Sequence, residues 1–337
     1  MNFADLTNST LPLPGAPTKW GYRITSDEEY FAFPGVNASL LKAPTLAEMY
    51  ARLTQPKRQS EALALGNLTD MAILTPSQPW GERFVVADLP INPTTSKPYG
   101  PESAKGKAAW DAAKAANPGK HVATLEEIRE LKAELDGIAG AFRDSALCVA
   151  ALDGALTQVG GFLFHPAWQC WIKWRPDVLP QRPDDRAGWW LADLKTSRRH
   201  VLQFERDWQE YDYATQAAWY CHCHEQLLAS QGMRITVSNF DFLVVSKADT
   251  DARNPRPAMA RRIRVPMNPE VNTMLEAVTA RIWPRDGMGR VEQFLAAAAM
   301  HASSNPDPAD RRAIGAIWGS YEHESEPYTM ARLPRGA

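Results

Sequence analysis

Residues 190–196 read Trp-Leu-Ala-Asp-Leu-Lys-Thr, an apolar run that carries an acid and a base two positions apart. The run predicts a β-strand, in which Asp193 and Lys195 face one layer while Leu194 faces the other. Residues 171–177 read Trp-Ile-Lys-Trp-Arg-Pro-Asp and predict a neighbouring strand that ends on an acid. Pairing of the two strands would bring the carboxylate of Asp177 beside that of Asp193.

Two carboxylates and an ammonium group on one face of a sheet are a typical setting for a divalent cation. Carboxylates that are buried together raise each other's pKa, and a cation removes that cost. Mg²⁺ prefers oxygen ligands, which Asp177, Asp193 and the backbone carbonyl of Leu194 would supply. The ion would lower the pKa of a bound water and polarise a phosphate. Lys195 would orient or deprotonate the attacking water and neutralise developing charge. These residues are the predicted catalytic centre, with Mn²⁺ as a substitute ion.

The order of elements predicts an α/β protein with a mixed central β-sheet flanked by helices and an N-terminal helical elaboration. A capping box of Thr124 and Glu127 opens one helix, and Ser39 is the expected N-cap of another. The predicted strands are 84–86, 156–164, 169–179, 188–196, 235–247 and 260–266, the second to fourth forming a meander. The predicted helices are 45–55, 59–75, 102–116, 124–142, 203–230, 269–283 and 307–318.

One domain is expected over residues 36–320, between an irregular arm at 1–35 and a tail at 321–337. It divides into a mainly helical part at 36–150, a part with the catalytic sheet and long helix at 151–270, and terminal helices at 271–320. The 337 residues are 45% apolar and 23% charged, which are ordinary globular values. No apolar run of about eighteen residues and no secretory signal are seen, so we expect no membrane contact and a cytoplasmic protein.

A formal net charge of −2 is not typical of a nucleic-acid-binding protein, so DNA binding would need a local basic groove. Arg198, Arg199 and His200 directly follow the catalytic strand and form one candidate cluster. The other cluster comprises Arg253, Arg256, Arg261, Arg262 and Arg264. Either cluster is equally typical of a solvated surface.

Three motifs together resemble the RecB-type, RecE-like exonucleases of the PD-(D/E)XK superfamily. They are Arg-Pro-Asp at 175–177, Asp-Leu-Lys-Thr at 193–196, and Gln216 with Tyr220 one turn later on the following helix. Residues 30–42, 64–74 and 208–220 also resemble the exodeoxyribonuclease VIII family. The resemblance covers about residues 30–250. Asp70 stands where that family has a histidine that binds metal, and the aspartate is either an oxygen ligand or a plain helix position.

The resemblance implies a Mg²⁺-dependent exonuclease that digests linear duplex DNA from 5′ to 3′ in phage-type homologous recombination, in a bacterial or phage-infected cell. It also implies a homo-oligomer and a RecT-like single-strand annealing protein as partner. Gln216 and Tyr220 would contact the DNA backbone or brace the active site. Thr196, Arg175, Arg198 and Arg199 are further candidates for phosphate contact, and packing or solvation is the alternative for each.

Two other functions stay open at this point. An endonuclease of the same fold, such as a restriction or repair enzyme, would carry the same residues. A DNA-binding protein with a decayed nuclease site would fit the Asp70 departure and the near-neutral charge.

Overall fold

The computed structural model describes part of the chain. The described residues are 21–24, 27–54, 61–77, 84–100, 102–117, 120–165, 167–168, 170–181, 183, 188–197, 199–248, 256–267, 289, 291–293 and 295. The predicted helices at 269–283 and 307–318, and the tail at 321–337, lie outside these residues. Within them, no helix is both long enough and apolar enough to cross a membrane.

The protein is a mixed α/β structure, as the sequence predicts. Its strands are β1 Gly21–Ile24, β2 Phe84–Val86, β3 His121–Ala123, β4 Ala155–Thr157, β5 Val159–His165, β6 Cys170–Trp174, β7 Val178–Pro180, β8 Trp189–Ser197, β9 Val237–Ser246 and β10 Met259–Pro266. Its helices are α1 Asp27–Ala32, α2 Ala38–Leu41, α3 Leu46–Thr54, α4 Glu61–Leu74, α5 Ala104–Ala116, α6 Leu125–Asp144, α7 Ala146–Leu152, α8 Phe204–Glu210 and α9 Tyr213–Ser230.

The main sheet has five strands in the order β10-β9-β8-β7-β4. The β8 and β9 strands are parallel, and α8 and α9 lie between them in the chain. The other neighbouring pairs are antiparallel. The side chain of Leu191 joins the core that contains α9, whereas Trp190 and Leu194 join the core that contains α6. The alternation predicted for this strand is therefore confirmed, and helices cover both faces of the sheet.

The predicted three-strand meander is wrong, because its first two strands are each divided between two sheets. A left-handed backbone at Gln158, with φ 55°, separates β4 from β5. The second strand is interrupted after Trp174 at Arg175–Asp177, where Pro176 has no N–H to donate to a ladder. The β5 and β6 strands pair with β1 in a separate three-stranded sheet, while β4 and β7 join β8 in the main sheet.

The long helix predicted at 203–230 is also divided, because the chain turns at Asp212. This residue has a left-handed backbone, with φ 47°, and its carboxylate accepts hydrogen bonds from the amide and hydroxyl of Thr215. It thereby caps α9, which begins at Tyr213. A short 3₁₀ turn at Val201–Gln203 precedes α8.

The irregular structure expected for residues 1–35 is wrong for β1 and α1. The ammonium group of Lys173, on β6, holds the end of α1 by donating hydrogen bonds to the backbone carbonyls of Tyr30 (2.8 Å), Phe31 (3.4 Å) and Phe33. Asn37, and not Ser39, caps the next helix, because the Asn37 side chain accepts from the amide of Leu40. The capping box at Thr124 is confirmed.

Replacing Lys173 with methionine should lower the free energy of unfolding by about 3 kcal/mol, because it leaves buried carbonyls without their donor. Lys173 is 3% exposed, so water cannot readily replace the ammonium group. Urea denaturation measures the change, and Lys107→Met on an exposed face of α5 is the control. Equal, small losses of unfolding free energy in both variants would show that Lys173 does not stabilise the end of α1.

Candidate active site

Asp177 and Asp193 meet at the edge where β7 begins and β8 continues past it. Val178 pairs with Ala192, so the register continued by one residue sets Asp177 level with Asp193. The backbone amide of Leu194 donates to Asp177 Oδ2 at 2.7 Å, and the Gln158 side chain donates to Asp177 Oδ1 at 3.0 Å. The carbonyl of Leu194 points to the same edge as its amide, because the two groups of one strand residue face one neighbour.

Asp193 is buried and has two partners, one cationic and one polar. Its Oδ2 atom forms an ion pair with Lys195 Nζ, and it accepts a hydrogen bond from Gln216 Nε2 at 3.0 Å. The ring of Tyr213 lies 4.9 Å from Lys195 Nζ, so the ammonium group also contacts an aromatic face. The main sheet and α9 together hold the acid and the base in contact.

The charges at this edge perturb each other strongly. Burial raises the pKa of Asp177 well above its usual value, and Asp193 and Asp70 raise it further, while Lys195 and the Leu194 amide act in the opposite direction. Burial alone would lower the pKa of Lys195, but Asp193, Tyr213 and Asp177 outweigh it and hold that pKa above its ordinary value. Lys195 is therefore an ammonium group in this arrangement, and it donates hydrogen bonds and offsets the negative charge of Asp193.

Asp70 lies on α4, which packs on the sheet face opposite α9, and its carboxylate acts on this same strand edge. Gly66, one turn earlier, lies against Thr196: a Cβ atom built at Gly66 would be 3.7 Å from Thr196 Oγ1. The helix therefore approaches β8 closely, and Asp70 raises the pKa of Asp177. Thr196 alternates with Lys195 and lies on the α4 side, so it does not share the face of Asp193 and Lys195.

The donor set suits a hard cation. Asp193 and Asp70 each act on Asp177 at one strand edge, next to a backbone carbonyl, and oxygen donors of this kind are what Mg²⁺ prefers. In the described part of the chain, no group of three or more His, Cys, Asp or Glu side chains is placed so that it could hold a metal ion.

The other residues predicted to bind DNA are placed as follows. Gln216 bonds directly to Asp193. Burial raises the pKa of Tyr220, with further contributions from Asp193, Tyr30 and Asp177, so Tyr220 lies beside the same acids. The guanidinium group of Arg175 stacks on the ring of Tyr30, at 4.6 Å.

The described residues of the two predicted basic clusters do not form a simple basic groove. The guanidinium group of Arg199 is engaged by Asp207 and, at 2.7 Å, by Glu210, while Arg198 lies outside the described residues. In the second cluster, Arg262 and Arg264 both donate to Asp241, which is 0% exposed. Asp241 is level with Ala192 on β8, so this pairing lies on the sheet face opposite Asp193.

Sequence reasoning missed three residues of the site, which are Tyr30, Lys42 and Tyr213. Lys42 Nζ donates to Gln216 Oε1 at 3.1 Å and lies 5.0 Å from the ring of Tyr213. Burial and the nearby Lys195 lower the pKa of Lys42 to about 7. Tyr213 precedes Gln216 by three positions on a helix, which is a signal for a shared face. Nothing in the local pattern around Lys42 points to α9.

The arrangement offers oxygen donors of the kind that a hard cation prefers, and it holds a fixed ammonium group beside them. Such a pair of charges can bind a phosphate and stabilise negative charge that develops on it. A scan against models of known protein families finds no match for this chain, and a search of the curated proteins finds no relative.

Proposed function

We propose that this protein is a Mg²⁺-dependent deoxyribonuclease with a PD-(D/E)XK core, acting as an exonuclease on linear duplex DNA. The observation that carries the proposal is the meeting of Asp177 with the Asp193–Lys195 pair at one strand edge. The parallel β8 and β9 strands with helices between them, and the antiparallel β7 on the other side, support the proposed core.

Asp177, Asp193 and the Leu194 carbonyl would hold the ion, and Asp70 would add a fourth oxygen donor. When bound, Mg²⁺ lowers the pKa of a coordinated water and polarises the scissile phosphate. The Mn²⁺ ion has the same preference for oxygen ligands and would substitute.

Lys195 would act as an ammonium group throughout the reaction. It orients the attacking water through a hydrogen bond and neutralises the charge that accumulates on the phosphate oxygens. Its pairing with Asp193 holds the ammonium group at this position before substrate arrives. Gln216 holds Asp193 from α9, and Arg175 lies over the ring of Tyr30.

The resemblance of residues 30–250 supports the narrower parts of the proposal. These are digestion from 5′ to 3′, a homo-oligomer, a RecT-like annealing partner, and a role in phage-type recombination in the cytoplasm. Four free cysteines fit a reducing compartment.

Digestion of linear duplex and of covalently closed circles of the same sequence, in Mg²⁺, tests the proposal. An exonuclease degrades the linear DNA and leaves the circle intact. Cleavage of both at similar rates would replace the exonuclease with an endonuclease of the same chemistry. Binding of both without degradation would favour a DNA-binding protein with a decayed site.

A further inference from the structure

Lys42 lies 174 positions before Gln216 in the chain, yet its ammonium group contacts the side chain that holds Asp193. Lys42 follows α2, and the helix ends there: the backbone N–H of Lys42 donates to the carbonyl of Ala38, and the N–H of Ala43 donates to that of Leu40. Asn37 caps the other end of the same short helix. Because both ends are fixed, α2 presents the Lys42 side chain to α9 from a defined position.

The two ends of the Gln216 carboxamide are chemically different, and its two neighbours distinguish them. The carboxylate of Asp193 only accepts hydrogen bonds, so it requires the –NH₂ end of Gln216. The carbonyl end then faces Lys42, which donates to it at 3.1 Å. A carboxamide turned by 180° would lose both bonds. Gln216 is 7% exposed, so water cannot readily replace either partner.

The ring of Tyr213 lies beside the ends of the Lys42 and Lys195 side chains. The ammonium groups of Lys42 and Lys195 lie 5.0 Å and 4.9 Å from the centre of this one ring. A cation near an aromatic ring is attracted by its electron-rich face. Tyr213 and Gln216 are three positions apart on α9, so the ring and the carboxamide are neighbours along the helix.

We propose that Lys42 is a positioning residue that orients the Gln216 carboxamide and, through it, the carboxylate of Asp193. The chain of contacts runs from Lys42 through Gln216 to Asp193, and each link is a hydrogen bond of ordinary length. This inference rests on the proposed function for its effect on activity. It does not depend on that function for its effect on Gln216, which can be observed without metal or DNA.

The first arm of the test is kinetic and uses Lys42→Met, which keeps the length of the side chain and removes its donor. We expect kcat for Mg²⁺-dependent hydrolysis of linear duplex to fall about 10- to 100-fold with KM for DNA unchanged, since partners that orient a metal ligand have effects of this size. In a Gln216→Ala background the same substitution should cause no further loss, because Lys42 acts through Gln216. Additive losses, or a rise in KM for DNA, would overturn the proposal in favour of direct substrate contact.

The second arm observes the side-chain amide of Gln216 by NMR in protein labelled with ¹⁵N-glutamine, in the presence of a chelator. The Gln216→Ala variant assigns the signals. Lys42→Met should shift them and speed their exchange with water, whereas Lys107→Met should leave them unchanged. Lys42→Arg keeps an N–H donor and should retain the wild-type signals, and it serves if the methionine variant does not fold.

The two arms separate failure of the inference from failure of the proposed function. If the wild-type protein degrades no DNA, the proposed function falls and the NMR arm alone decides the role of Lys42. Unchanged Gln216 signals in Lys42→Met, or signals lost equally in Lys42→Arg, would overturn the positioning role whatever the activity.

Discussion

Replacing Lys195 with alanine should lower kcat for Mg²⁺-dependent DNA hydrolysis by about 100- to 10,000-fold, because the reaction loses its fixed ammonium group. Lys195 is paired with Asp193 and lies against the Tyr213 ring, so neither position nor charge can be supplied by water. Affinity for DNA should change little, since one charge among many phosphate contacts is lost. Time courses of acid-soluble product give kcat, and fluorescence anisotropy with Ca²⁺ in place of Mg²⁺ gives the affinity.

The matched control is Lys132→Ala, which removes an exposed lysine that also pairs with an aspartate, Asp136, on α6. This variant should retain wild-type kcat. If Lys195→Ala and Lys132→Ala were equally active, Lys195 would have no part in the chemistry and the proposed centre would be wrong.

Replacing Asp177 with asparagine should have opposite effects on activity and on stability. Activity should fall at least about 100-fold, because a ligand carboxylate is lost. The metal-free protein should become more stable at neutral pH, because burial raises the pKa of Asp177 and the nearby Asp193 and Asp70 raise it further. Asparagine keeps an oxygen that can accept from the Leu194 amide, and its –NH₂ group can donate to the Gln158 carboxamide when that group turns by 180°.

The raised pKa of Asp177 also predicts how the stability of the protein changes with pH. A carboxyl whose pKa is raised in the folded state binds more protons there than in the unfolded state, once the pH exceeds the unfolded value of about 4. The contribution of Asp177 to stability therefore falls as pH rises above about 4, and Asp177→Asn should lack that fall. Urea denaturation in a chelator between pH 4 and pH 8 compares the two proteins. If Asp177→Asn were less stable than wild type at pH 7.5, the raised pKa of Asp177 would be contradicted.

Local patterns predicted the parts of this structure that depend on neighbours in the sequence. Alternation along residues 190–196 separated Asp193 from Trp190 and Leu194, and the structure confirms it. Helical spacing placed Gln216 and Tyr220 together, and both lie near Asp193. The capping box that begins the helix at Thr124 was equally local.

The features that could not be predicted depend on contacts between distant residues or on single backbone angles. The left-handed backbones at Gln158 and Asp212 divide a strand and a helix, and neither residue is a glycine that would have marked the turn. Lys173 alternates with Trp174 as a surface lysine would, yet its ammonium group is buried by residues about 140 positions earlier in the chain. Lys42 reaches the site only because α2 packs near α9.

Digestion of end-labelled linear duplex by the wild-type protein and by Asp193→Asn, in Mg²⁺ and again after chelation, tests the central claim most directly. We predict loss of the labelled strand only with wild-type protein and Mg²⁺, and recovery of activity when the ion is restored. Degradation that persists in the chelator or in Asp193→Asn, or no degradation by the wild-type protein with Mg²⁺, would contradict a cation-dependent nuclease centred on Asp177, Asp193 and Lys195.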